Sequence, residues 1–125
     1  DQATSEVKRY AETTRTAIDA GVFTQANENV TPCEGRAGEL SDPDDVYYVQ
    51  GNYQLMVPAN EQADTLANAR QQWERDGHTI KKERSFGPDG TGEVTATTSD
   101  DYTLTLSSGQ PPAMLLLVAS PCYRR

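Results

Sequence analysis

The chain has 125 residues, of which 35% are hydrophobic, and a net charge of −8. Nineteen Asp and Glu against eleven Lys and Arg argue against binding to nucleic acid, whose readers carry a basic footprint, and against docking on anionic lipid. No apolar run approaches the roughly 20 residues that a membrane-spanning helix needs, and the length suits a single domain over residues 1–125 with one core.

The first predicted element is a helix from about Thr4 to Ala20. Val7, Tyr10, Ala11, Thr14 and Ile18 recur at helical spacing and form one apolar face. Thr4 or Ser5 is the expected cap, and Gly21 the expected stop. Residues 21–42 read as a long irregular segment, because Asn27, Asn29, Pro32, Gly35, Gly38, Ser41 and Pro43 disfavour regular structure. A strand follows from Val46 to Val57, with Tyr47, Val49, Gly51, Tyr53, Leu55 and Val57 on the core side and Val46, Tyr48, Gln50, Asn52, Gln54 and Met56 on the other. Gly51 interrupts the apolar side, which marks a bulge or a close approach by another group.

Pro58 ends that strand. Asn60 is the expected cap of a second helix that runs to about Asp76 and stops at Gly77, with Ala63, Leu66, Ala67, Arg70 and Trp73 as its inner stripe. Four strands come next: Thr79–Phe86, Glu93–Thr98, Tyr102–Ser107 and Ala113–Ser120. Gly87-Pro88-Asp89-Gly90, Ser99-Asp100-Asp101 and Gly109-Gln110-Pro111-Pro112 turn the chain between them. The last strand is apolar on both faces (Met114 to Val118), a pattern that predicts a central strand covered on both sides. The expected fold is therefore α+β, a two-layer sandwich in the order α-β-α-β-β-β-β. A mainly antiparallel sheet of about five strands would carry both helices on one face.

Cys33 and Cys122 stand 89 positions apart, without a Cys-x-x-Cys motif and with His78 as the one histidine. A single disulfide is the expected use of the pair, tying the end of the chain to the segment before the first strand. Disulfides persist in oxidising compartments, so the pair predicts an extracytoplasmic protein. Asp1–Arg9 is polar from its first residue, so an exported parent is expected to have lost its leader.

Candidate chemistry is sparse. A nucleophilic site needs a base beside its nucleophile, and His78 follows a helix-ending glycine, where it suits capping. Asp42, Asp44, Asp45, Asp100 and Asp101 lie in turn-like sequence rather than in a paired-carboxylate arrangement. Neither Asp42-Pro43-Asp44-Asp45 nor Asp89-Gly90-Thr91-Gly92-Glu93 has the calcium-loop spacing, and the glycine-rich stretch from Gly87 lacks the ending of a phosphate loop. No catalytic residue, metal site or cofactor is expected. The face carrying Tyr48, Gln50, Asn52 and Gln54 is the candidate surface for a partner or a glycan, since a tyrosine joins an apolar body to a polar tip.

The layout resembles the extracytoplasmic domains of small actinobacterial lipoproteins. The resemblance rests on the Thr- and Ala-rich leading helix, Pro32-Cys33, the Val46–Val57 strand and the ending Leu117-Val118-Ala119-Ser120-Pro121-Cys122. It implies an exported domain tethered through a lipidated cysteine ahead of this chain, and it implies no catalytic signature. The expectation is a non-enzymatic cell-envelope or secreted binding domain, its partner an unknown protein or small-molecule ligand, touching membrane only through an anchor outside this chain. The rival is a secreted protease inhibitor that presents Gly109-Gln110-Pro111-Pro112-Ala113-Met114 as a rigid loop.

Overall fold

The computed structural model describes residues 2–18, 23–33, 46–85, 92–108 and 112–124. Its elements are α1 (Gln2–Ala17), β1 (Gln25–Pro32), β2 (Val46–Met56), α2 (Ala59–Arg75), β3 (Thr79–Ser85), β4 (Gly92–Thr97), β5 (Thr103–Ser108), β6 (Ala113–Ala119) and the two-residue β7 (Tyr123–Arg124). The class is α+β, as expected. Six strands lie side by side in the order β1-β2-β6-β5-β4-β3, every neighbouring pair antiparallel, and β7 pairs with the start of β2.

The sheet therefore has one more full strand than expected, and the order is corrected to α-β-β-α-β-β-β-β before β7. The extra strand is β1, which falls within the segment read as irregular. Its residues are poor strand formers, but all eight pair with β2, from Gln25 opposite Gln54 to Pro32 opposite Tyr47. Pairing overrides weak propensity here. Pro32 is tolerated because it closes an edge strand. The opposite edge, β3, carries Lys81 and Lys82 at a register shift, the charged and bulged form that blunts a sheet edge.

One face of the sheet holds the core. Val49, Tyr53 and Leu55 of β2, Met114, Leu116 and Val118 of β6, Leu104 and Leu106 of β5, and Val94 and Ala96 of β4 are buried, and the register sets them side by side. Both helices pack on that face. The expected stripe of α1 is buried throughout, joined by Ala3, but the helix begins at Gln2, so Thr4 and Ser5 lie inside it rather than capping it.

α2 departs from expectation at both its start and its face. Its N-cap is Pro58 without a side-chain cap, and Asn60 lies inside the helix. Its buried residues are Gln62, Thr65, Leu66, Ala69 and Trp73, whereas Ala67 is exposed and Ala63 and Arg70 are half-buried. The rotation has a polar cause. The Gln62 amide donates to the Val57 and Ala113 carbonyls at 3.1 and 3.3 Å, which seats the helix on the ends of two strands. The C-terminus is as expected: Gly77 has φ +86°, and the Gly77 and His78 amides donate to the Glu74 and Trp73 carbonyls, the Schellman pattern. A buried bond from Trp73 Nε1 to Thr14 Oγ1 at 3.0 Å ties α2 to α1.

The disulfide is formed, with Cα atoms 6.3 Å apart. It joins the residue after β1 to the residue before β7, and both strands pair with Tyr47 of β2. Between Ala119 and Tyr123 the last strand spends four residues where β2, from Gln50 to Tyr47, spends three. Ser120 repairs this bulge: its backbone N–H donates to the Val49 carbonyl at 2.9 Å, and its Oγ accepts from the Val49 N–H at 2.8 Å.

Candidate functional site

The face of the sheet turned away from the helices is the candidate site. Because side chains alternate along a strand, burying Val49, Tyr53 and Leu55 directs Tyr48, Gln50, Asn52 and Gln54 to this open face together. All four are half-buried. The register of β1 sets Gln25 beside Gln54, Asn27 beside Asn52, Asn29 beside Gln50 and Thr31 beside Tyr48. Sequence reasoning had only the β2 half of this array, because β1 read as a loop. The missed signal was its period of two, amides at 25, 27 and 29 alternating with Ala26, Glu28 and Val30.

The amides partly organise one another. Asn27 Oδ1 accepts from Asn29 Nδ2 at 3.0 Å and from Asn52 Nδ2 at 3.3 Å, and Gln54 Oε1 accepts from Thr24 Oγ1 at 3.2 Å. Next to them β6 presents Ala113, Leu115, Leu117 and Ala119. Leu115 and the neighbouring Met56 are each 48% exposed. The expected cover over the second face of β6 is thus not found among the described residues. Beyond β6 the face turns to hydroxyls: Thr103, Thr105 and Ser107 on β5, Thr95 and Thr97 on β4, with Thr95 and Thr105 bonded at 3.1 Å. It ends at Glu93, 3.8 Å from both Lys82 and Arg84.

The face is therefore an aliphatic stripe between an amide wing and a hydroxyl wing. Glu93 is the one acidic residue that the register sets on it among the described strands. Chemically, such a face donates and accepts hydrogen bonds mainly through uncharged groups, has a modest apolar centre, and carries its charge at the β3–β4 edge and, by register, at Arg124.

The titratable groups gather on the helix side. Tyr53 donates to Glu28 at 2.8 Å, and Lys8 stands 3.9 Å from the same carboxylate. Burial first, then that hydrogen bond, raises the Tyr53 pKa far above the ordinary tyrosine value. The Tyr53 ring also explains Gly51: a Cβ there would come within 2.6 Å of that ring and of Val7 Cγ1. A close approach rather than a bulge is what the glycine serves.

At the other end of the sandwich, Tyr10 donates to Asp100 at 2.7 Å, and Thr98 donates to the same carboxylate oxygen. Burial works against ionisation of Asp100, but these two bonds outweigh it and hold its pKa below the usual carboxylate value. The same turn contains Asp101 at φ +68°; the Thr98 N–H donates to the Tyr102 carbonyl, the Asp101 N–H to the Thr98 carbonyl, and the Tyr102 N–H to Thr98 Oγ1. The Asp100 carboxylate is thus taken up in a turn and a helix contact, in line with the turn reading. Asp42, Asp44, Asp45 and Asp89 lie outside the described residues. His78 sits edge-on to Tyr10 at 5.9 Å, and no group of three or more His, Cys, Asp and Glu among the described residues could hold a metal ion.

The loop proposed for protease inhibition is corrected in part. Residues 109–111 lie outside the described residues, but Ala113 and Met114 belong to β6 and Met114 is fully buried, so it cannot be presented to a protease. An open cleft of about 450 Å³ lies against Glu12, Thr13, Thr16, Ala17 and Gln72. Its polar ends are engaged locally, Glu12 by Arg15 and Gln72 by Asp76. Neither helix among the described residues is long and apolar enough to cross a membrane.

No protein-family model matches the chain, and no curated protein matches it.

Proposed function

We propose that this chain is a non-catalytic, extracytoplasmic interaction domain, the water-exposed part of a secreted or lipid-anchored envelope protein, and that it meets its partner through the open sheet face. The observation that carries the reading is the composition of that face. An exposed sheet surface with an aliphatic centre, amide and hydroxyl flanks and charge confined to its margins has the make-up of a protein contact patch, apolar in the middle and polar at the rim. The Cys33–Cys122 disulfide and the resemblance to exported lipoprotein domains support the location.

Two measurements in intact cells test the reading. A photo-crosslinking side chain placed at Asn52 is expected to give a covalent adduct, whereas the same group at Asp64, on the exposed side of α2, gives none. Equal or absent labelling at both positions removes the assignment of the face. Thiol counting on unfolded, unreduced protein is expected to find no free thiol, and two free thiols would remove the location.

A further inference from the structure

We infer that the occupant of the open face is a second copy of this chain, docked sheet against sheet; this rests on the open face being the interaction surface. Three observations select that partner. The first is charge. The chain carries −8 overall, so two copies repel wherever acidic surfaces meet. Among the described residues Glu6, Glu12, Glu61, Asp64, Glu74 and Asp76 belong to the helices or their ends, Asp100 and Asp101 to the turn between β4 and β5, while Glu28 and Glu83 take register positions on the helix side of the sheet. Among the described residues the open face holds one acidic residue, Glu93, beside Lys82 and Arg84, and the register adds Arg124 opposite Val46. Of the described surfaces it is the one where two acidic chains set the fewest carboxylates against each other.

The second observation is chemical self-complementarity. A two-fold axis running along β6 sets Leu115 and Leu117 against the same residues of the other copy. It lays the amides of β1 and β2 over the hydroxyls of β4 and β5 in the other copy, so that donors meet acceptors. Lys82 and Arg84 then fall at the solvent rim. Such an isologous contact closes as a dimer, and two sheet faces stacked in this way keep their strands within about 30° of each other. The third is size. Five strands about 4.8 Å apart, each about 20 to 25 Å long, offer a footprint of roughly 400 to 500 Å². That lies near the lower limit for a specific interface, about 500 Å² per copy.

Sedimentation equilibrium of the purified, oxidised chain tests this. The expected result is a monomer–dimer equilibrium that tightens as salt rises from about 20 to 300 mM, because screening relieves the repulsion between two acidic copies. Leu115→Glu, at a half-exposed position that folding does not need apolar, is expected to weaken the dimer at least 100-fold while keeping the melting temperature. Gln71→Glu, an added charge on the outer side of α2, leaves it intact. A chain that stays monomeric at about 1 mM, a dimer indifferent to Leu115→Glu, or a dimer that weakens with salt overturns the proposal. The Asn52 crosslink separates the two levels. An adduct of twice the chain mass supports self-pairing, an adduct of another mass overturns self-pairing but keeps the face, and no adduct removes both.

Discussion

Replacing both cysteines by alanine should remove about 4 to 5 kcal/mol of stability. The two residues are 89 positions apart, and closing a loop of that length takes conformational entropy from the unfolded chain by that amount in the chain-entropy model. A domain of this size has about 5 to 15 kcal/mol in total, so the link is about a quarter or more of what holds the fold. The structure shows where the loss falls. β1 is an exposed, polar edge strand with little apolar burial of its own, and the disulfide pins the residue after it to the residue before β7, across β2. Urea denaturation followed by the fluorescence of Trp73 measures the effect. With a slope of about 2 kcal/mol per M, the midpoint should drop by about 2 M, and the slope should rise because the unlinked chain unfolds more completely. Reduction of the native protein should reproduce the shift. A drop under about 0.5 M by both routes would refute the reasoning, because it would mean that the unfolded chain is no more confined with the link than without it.

Gly51→Ala should destabilise by about 1 to 3 kcal/mol, since the new methyl meets the Tyr53 ring and Val7 at 2.6 Å; a melting temperature within 1 °C of the parent would show that both neighbours yield freely. Thr14→Val keeps the shape of the side chain but leaves the buried Trp73 Nε1–H without an acceptor, at about 1 to 3 kcal/mol. Denaturation curves read this loss, and an unchanged midpoint would show that the bond contributes nothing net. Stability should fall above about pH 10, the unfolded tyrosine value. Burial followed by Glu28 raises the pKa of Tyr53, and burial followed by Tyr123 raises that of Tyr102. Their contribution is complete below that pH and is lost as the pH climbs toward the folded values. The part of the phenolate absorbance due to Tyr53 and Tyr102 should appear together with unfolding, and complete tyrosine ionisation near pH 10 in a folded protein would contradict it. Asp100 works in the opposite direction: its lowered pKa gives a contribution present above about pH 4 and lost on acidification below it. Asp100→Asn should flatten the acid limb of the stability profile, and an unaltered acid limb would show the Tyr10 and Thr98 contacts to be inconsequential.

Much of the architecture was legible from periodicity. The stripe Val7, Tyr10, Ala11, Thr14, Ile18 is the buried face of α1, and β3 to β6 begin and end within a residue of where alternation and turn chemistry set them. These elements are local: their pattern states which face must leave water. Half of the candidate site was legible for the same reason, since the alternation in β2 separates Tyr48, Gln50, Asn52 and Gln54 from the buried residues between them.

Tertiary structure decided the rest. The period of two in Gln25–Pro32 carries only Ala26 and Val30 as apolar members, too little to call for a strand alone; its backbone groups find partners because β2 lies alongside and Cys33 is held in place. The face that α2 turns inward is not marked by its alanines, which suit either rotation; it is the one that lets the Gln62 amide meet the Val57 and Ala113 carbonyls. Leu115 and Leu117 look like core in the sequence because a side chain's hydrophobicity records a preference for burial, whereas the material that covers it depends on which elements the folded chain has left to place there. Both helices were already committed to the other side.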